Sequence, residues 1–290
     1  MKSNYVPKVL GRNEWHKVVF YDDSDCSLLY VCDSCSSALD EAWKIYKNNT
    51  LLPWDSVLAF EQTEGRGQLR REWISPRGNI YAALSLPEYL HGAGASVYIG
   101  WLMVKALREV LKQSVTHLDL SNLKLKWPND IVLNNHKVGG ILLEEKGNTL
   151  IAGIGLNFSS APEKEMMREN FVFPAGCLQG LLENNDFLNN FSAQTLWLSL
   201  VTMMRFWYET KVPFTGGGIP HYLVEQELAF LREMVRICDF SDSSGDPDEQ
   251  NNDSDRTGRI LGLGPNAELK LETSGGEILL SSGSIYPMSR

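Results

Sequence analysis

Apolar positions along the first half of the chain recur in short runs of strand length, interrupted by two longer stretches with helical spacing. His16–Tyr21 and Ser27–Cys32 read as strands on either side of the acidic turn Asp22-Asp23-Ser24-Asp25. Ala38, Leu39, Ala42, Trp43 and Tyr46 then fall at i, i+1, i+4, i+5 and i+8, which predicts a helix over Ser34–Tyr46 behind a Ser/Asp start. Ser56–Glu61 and Asn79–Leu86 are the next predicted strands, and Ser96–Gln113 is a long, largely apolar helix with a basic last turn. Two β-rich runs follow, Leu123–Trp127 and Ile131–Leu133, separated by Pro128-Asn129-Asp130. Beyond a polar turn at Asn134-Asn135-His136 come the strands Lys137–Glu144 and Thr149–Phe158. Residues 159–190 are irregular and polar, and Ser192–Thr210 predicts a second long helix whose Trp, Met and Phe residues are core.

From about Leu228 the pattern changes to five short β-rich runs separated by turn residues: Met234–Cys238, Thr257–Leu263, Ala267–Leu271, Glu277–Leu280 and Ser284–Tyr286. Short strands at this spacing predict a small barrel-like domain. The acidic segment Asp239–Asp255 is an insertion between its first two strands. Being rich in Asp, Ser, Asn and Gly, Ser241–Asp255 within it is expected to be mobile and dispensable for adenylation.

Composition narrows the function classes. The formal charge is −9, but seven carboxylates lie between Asp239 and Asp255, so the rest of the chain is close to neutral. Neither part offers the basic face that general nucleic-acid binding needs. No apolar run is long enough to span a bilayer, and the first residues lack a signal peptide's apolar core. Five scattered cysteines fit reduced thiols in a cytoplasm. Cys32 and Cys35 form a C-x-x-C, yet no second pair or histidine pair stands at ligand spacing, so inert thiols rather than a metal site are expected.

Four features carry candidate chemistry. The stretch QTEGRGQLRREWISPRG, between two strands, gathers Arg66, Arg70, Arg71 and Arg77 around Gly65 and Gly67. Glycines let backbone amides approach a ligand and arginine forks match phosphate or carboxylate, so the loop points to an anion. Asn129 and Asp130 occupy a break within a sheet, where polar groups can be aimed at a ligand. Lys137 precedes Gly139 and Gly140, and Gly153 and Gly155 lie two apart, so both strands leave room for a ligand or a neighbouring backbone. The junction Asp33-Ser34-Cys35-Ser36 adds hydroxyls and amides ahead of a helix.

Taken together, EQTEGRGQLRREWISPRGNIYAALSLP (61–87), LKWPNDIVLNNHKVGGILLEE (125–145) and GIGLNF (153–158) closely resemble the catalytic domain of the biotin protein ligase family. The resemblance extends in order through most of the chain. KWPND with Lys-x-Gly-Gly-Ile-Leu beginning seven positions after its Asp, and GRG upstream, is a specific pattern.

The resemblance implies an α+β fold with a mixed sheet, like that of class II aminoacyl-tRNA synthetases, followed by a small SH3-like domain. Residues 1–228 would form the catalytic domain and 229–290 the small domain. The implied reaction uses biotin and MgATP to make biotinyl-5′-adenylate, then transfers biotin to one lysine of a carrier domain. Arg66, Lys137 and Asp130 match the catalytic positions. Ser34, Cys35, Gln62, Gly65, Gly67, Gly139 and Gly140 join Arg66 and Lys137 as biotin-binding matches; Arg71, Trp73, Asn129 and Asn157 join Arg66 on the ATP and adenylate side. A protein metal site is not implied. Cys35 and Ser36 stand where Thr-Asn is common, and Gln68 and Arg70 replace an arginine and a glycine of the usual loop. Only about fifteen residues precede the first predicted strand, so a DNA-binding domain is not expected; a homodimer is compatible with the pattern. Alternatives are a non-catalytic biotin- or carrier-binding scaffold and a lipoate-type ligase, whose RR-x-S-G-G-G signature is absent.

Overall fold

The structure is a computed structural model that describes residues 6–9, 15–22, 25–48, 51–68, 71–90, 92, 94–114, 118–163, 174–182, 188, 191–211, 220–238 and 257–288. The predicted acidic insertion, Arg70 and most of the 159–190 stretch lie outside these residues.

A nine-stranded sheet is the frame of the larger part. In chain order its strands are β1 (Val6–Val9), β2 (Trp15–Asp22), β3 (Asp25–Cys32), β4 (Ser56–Ala59), β5 (Ile80–Ser85), β6 (Lys124–Lys126), β7 (Asp130–Leu133), β8 (His136–Lys146) and β9 (Thr149–Leu156). Their spatial order is β1-β2-β3-β4-β5-β9-β8-β7-β6, parallel between β3 and β4 and antiparallel at every other pairing. The single parallel pair requires a crossover, and α1 (Ala38–Asn48) supplies it.

Each face of the sheet is covered differently. On one face α1 buries Leu39, Ala42 and Trp43 against Val57, Ala59, Ala83 and Ile151. On the other, α2 (Ala95–Ser114) and α4 (Ala193–Lys211) pack Trp101, Leu107, Trp197 and Val201 over Leu58, Ala82, Leu84, Ile141 and Ile154. Full coverage explains why β4 and β5 read as continuous apolar runs. The short helix α3 (Leu178–Leu181) lies within the stretch expected to be irregular.

The smaller part is a five-stranded antiparallel sheet of order β13-β12-β11-β10-β14, consistent with a small barrel-like domain. Its strands are β10 (Met234–Cys238), β11 (Thr257–Leu263), β12 (Leu269–Thr273), β13 (Gly276–Leu280) and β14 (Ser284–Pro287). The third begins two residues later than its pattern suggests because Ala267 adopts a left-handed φ of 60° within the preceding turn. The helix α5 (His221–Glu225) and residues 227–229 connect the two parts. Leu125 donates its N–H to the Glu227 carbonyl (2.7 Å) and accepts from Ala229 (2.8 Å), so the connection is laid along β6. Among the described residues no helix is long and apolar enough to cross a membrane.

The helix expected from Ser34 begins four residues later. Residues 35 and 36 are drawn instead into backbone bonds with the segment after β4: Cys35 N–H to Glu61 O, Thr63 N–H to Cys35 O and Glu64 N–H to Ser36 O. Backbone groups bound across the chain cannot join the helical ladder.

Candidate active site

The β7–β8 hairpin builds the centre of the site. Asn134 and Asn135, with φ of 47° and 60°, form its tight turn, and Asn tolerates this left-handed backbone better than other non-glycine residues. Asp130 pairs with Gly140 and Ile131 with Gly139, but Val132 pairs with Lys137, so Val138 is an extra residue in β8. Without the bulge Lys137 and Gly140, three apart, would face opposite ways. With it they share a face: a Cβ built on Gly140 would lie 3.5 Å from Lys137 Cε, and Lys137 Nζ lies 2.5 Å from Asp130 Oδ1.

Asp130 is buried and holds a second cation. Lys126 Nζ donates to its Oδ2 at 3.0 Å, from a side chain that is itself almost fully buried. Burial alone would raise the carboxyl pKa, but the Lys137 and Lys126 ammoniums outweigh it and hold it down to about 2. The centre is therefore one fixed carboxylate shared by two lysines.

Beside this centre is a floor without side chains. Gly155 of β9 pairs with Gly140 of β8, and the Trp73 indole lies on both: a Cβ at Gly155 would come within 2.6–2.8 Å of its ring, and one at Gly140 within 3.1 Å. Lys137 Nζ is 5.2 Å from the Trp73 ring centroid. The indole N–H is buried and has no hydrogen-bond partner among the described residues. Gly139 points to the other face, against Ile131 and Leu156, and Gly153 is covered by Leu39 and Leu142. Of the four glycines, then, Gly140 and Gly155 underlie the site, while the other two permit close packing.

The arginine loop folds back on itself at Trp73. Trp73 N–H donates to Gly65 O (2.9 Å) and Gly67 N–H to Arg71 O (2.7 Å). Gly65 is required sterically, since a Cβ there would meet Trp73 O at 2.4 Å, whereas at Gly67 the nearest atom is 3.7 Å away. Gln62 ties this loop to the helix, accepting from Ala38 N–H (2.8 Å) and donating to Ser75 Oγ (3.0 Å). Cys35 lies beside Gln62 through a parallel bridge, and Ser34 precedes it at the partly exposed rim.

Arg66 makes a two-pronged pair with Asp40 of α1, at 2.7 and 2.6 Å, with Glu144 at 3.8 Å. The hydrogen bonds from Arg66 hold the Asp40 carboxyl below its ordinary range. Arg77 pairs with Asp33 and Glu61 at the same rim. The exposed Arg71 lies in the strand-like return of the loop.

Two asparagines shape backbone around the centre. Asn129 donates to Ile141 O (2.8 Å) and its own carbonyl accepts from Ile141 N–H (3.0 Å), fixing the turn that carries Asp130. Asn157 donates to Gly176 O (3.0 Å), anchoring a segment whose Pro174 carbonyl and Gly176 N–H bond the backbone of Lys137.

Sequence reading missed Asp40, Glu144, Lys126 and Tyr286 of β14, whose ring centroid lies 5.3 Å from Lys126 Nζ. Lys126 could have been suspected as a charge inside an apolar strand. The others are ordinary surface types whose partners lie far away in sequence.

Residues 33–158, which contain nearly all of this site, match the family model described as Biotin/lipoate A/B protein ligase family. This segment is the part of the chain that resembles that family. A Paracoccus denitrificans biotin–[acetyl-CoA-carboxylase] ligase is 39% identical over 112 residues, 37% of this chain and 45% of that protein. The Escherichia coli bifunctional ligase/repressor BirA is 31% identical over 227 residues, 74% of this chain and 63% of that protein. In both comparisons the chain spans less than two thirds of the relative's length. Among solved structures, a biotin protein ligase from Aquifex aeolicus in complex with biotin and ATP aligns with a TM-score of 0.63 at 20% identity, covering 90% of this chain and 99% of that one. The Leishmania major biotin protein ligase in complex with biotinyl-5-AMP aligns at 0.52 and 22%, covering 90% and 98%. The mixed sheet followed by a second, antiparallel sheet thus has the fold seen in biotin protein ligases.

Proposed function

We propose that the chain is a biotin protein ligase: it joins biotin to MgATP as biotinyl-5′-adenylate, releases pyrophosphate, and passes the biotinyl group to a lysine of a biotin carrier domain. The observation that carries this reading is the Lys137–Asp130 pair at the edge of the Gly140/Gly155 floor, with Arg66 on the loop that closes back on Trp73. The named relatives and the ligand-bound ligase structures support it.

The first step brings the biotin carboxylate against the α-phosphate of ATP, two anions that repel. One carboxylate oxygen attacks the α-phosphorus and the bond to pyrophosphate breaks. Lys137 can leave Asp130 for the charge that develops there, because Lys126 continues to hold the carboxylate. Arg66 and the amides of its loop supply further donors for the adenylate. Mg2+ would accompany ATP, with phosphate oxygens as its preferred ligands, and would supply charge neutralisation at the phosphates.

In the second step the acceptor lysine attacks the acyl carbon and AMP leaves. Its ammonium, with an ordinary pKa near 10.4, must first lose a proton. Asp130 can hold that ammonium by charge. Once Lys137 has turned to the phosphate, the Asp130 pKa rises and the carboxylate becomes a better proton acceptor.

Incubation with biotin, MgATP and labelled pyrophosphate tests the reading. Biotin-dependent incorporation of label into ATP is expected. Its absence, or exchange with lipoate but not biotin, overturns the proposal.

A further inference from the structure

The small β domain is fastened to the two motif residues that lead into the centre. Trp127 donates its indole N–H to Ala267 O at 3.1 Å, and Lys126 presents its ammonium to the Tyr286 ring at 5.3 Å. Tyr286 is itself braced. With Phe230 it packs against Val132 of β7 and Ala229 of the connection, and that connection is bonded to Leu125 on both sides. Gly94, ahead of α2, completes the dock, since a Cβ there would come within 2.6 Å of Ala267.

The Lys126 ammonium therefore lies between an aromatic face from one domain and the Asp130 carboxylate of the other. A cation within about 6 Å of a ring centroid is attracted to the ring face, and more strongly when removed from water. The ring and the carboxylate together restrict where that ammonium can be. Asp130 in turn depends on it, because of its two lysine partners only Lys126 can stay when Lys137 moves to an anionic ligand.

Resting on the ligase reading, we propose that Tyr286 is a positioning residue for the transfer step: its ring holds Lys126, Lys126 holds Asp130, and Asp130 receives the acceptor lysine. The phenol oxygen is not what the step uses. The ring is. The small domain thus acts on the reaction through one aromatic face.

Tyr286→Leu keeps apolar contact with Val132 and Ala229 but removes the ring, and Tyr286→Phe keeps the ring. In single-turnover transfer from preformed biotinyl-adenylate to a carrier domain, Tyr286→Leu should lower the rate constant about tenfold. The carrier's half-saturating concentration should change little, and Tyr286→Phe should restore the wild-type rate. Pyrophosphate exchange should fall much less than transfer. A ligand-free measurement accompanies these: in lysine-labelled protein the Lys126 ε-methylene resonance, assigned with Lys126→Arg, should carry a ring-current shift with Tyr or Phe at 286 and lose it with Leu. Wild-type transfer by Tyr286→Leu, failure of Phe to rescue, or no ring-current shift in the wild type overturns the inference. A wild-type protein with the ring-current shift but no biotin-dependent exchange overturns the ligase reading, and the inference with it.

Discussion

Lys137 and Asp130 meet at 2.5 Å because Val138 is an extra residue in β8, which turns the lysine onto the face that Asp130 and Gly140 share. The bulge makes an ion pair of two residues from the two strands of one hairpin. It also leaves Lys137 partly exposed, free to exchange Asp130 for an incoming anion, while the buried Lys126 stays.

Lys137→Ala should reduce biotin-dependent pyrophosphate exchange at least a hundredfold, on the scale of about 3 kcal/mol for one lost donor at a developing charge. Lys126 still pairs with Asp130, so far-ultraviolet circular dichroism and the unfolding midpoint should change little. Near-normal exchange would remove Lys137 from the mechanism.

Asp130 predicts an acid-sensitive contribution to stability. Its carboxyl falls from 3.8 to about 2 in the fold, so the stabilisation is fully present above about pH 4 and is lost as pH drops towards 2. A depression of that size corresponds to about 2 kcal/mol. Denaturant unfolding of wild type and Asp130→Asn at pH 7, 4 and 2.5 should show the gap between them narrowing at the lowest pH. A gap independent of pH would mean that Asp130 is not ionised in the fold.

Gly155→Ala should displace the Trp73 indole, since the new methyl would lie within 2.8 Å of the ring. Intrinsic fluorescence should change and biotin-dependent exchange should fall. The loop glycines should differ from each other: Gly65→Ala meets Trp73 O and should cost about 1–3 kcal/mol, while Gly67→Ala has the space to be tolerated. Equal behaviour of the two loop variants would contradict the loop geometry.

Asp40 is the resting partner of Arg66, and an anion that takes Arg66 must compete with it. Asp40→Asn should therefore tighten binding of a non-hydrolysable biotinyl-adenylate analogue severalfold. Both side chains are about a third exposed, so the loss of stability should stay below about 1 kcal/mol. Calorimetric titration beside thermal unfolding checks both; weaker binding by Asp40→Asn would show that the pair orients Arg66 rather than competes for it.

The sequence by itself determined most of the strands and the long helices in their order, but not β1, α3 or α5. What it determined depends on near neighbours: apolar period for β4, β5, α2 and α4, Pro128 for the break before Asp130, and paired asparagines for the hairpin turn. Its boundaries erred where distant backbone intervened, as at Cys35 and Ser36, whose backbone groups are engaged by residues 61, 63 and 64. The tertiary structure alone decided which partners meet. Asp40 and Arg66 are joined by the return of the loop over α1, Gly155 and Trp73 by that loop lying over β9, and Lys126 and Tyr286 by the packing of β14 beside β6. Such pairs form across long loops and between domains, where no local periodicity carries their signal, and the one-residue bulge that aims Lys137 is a matter of register between two strands.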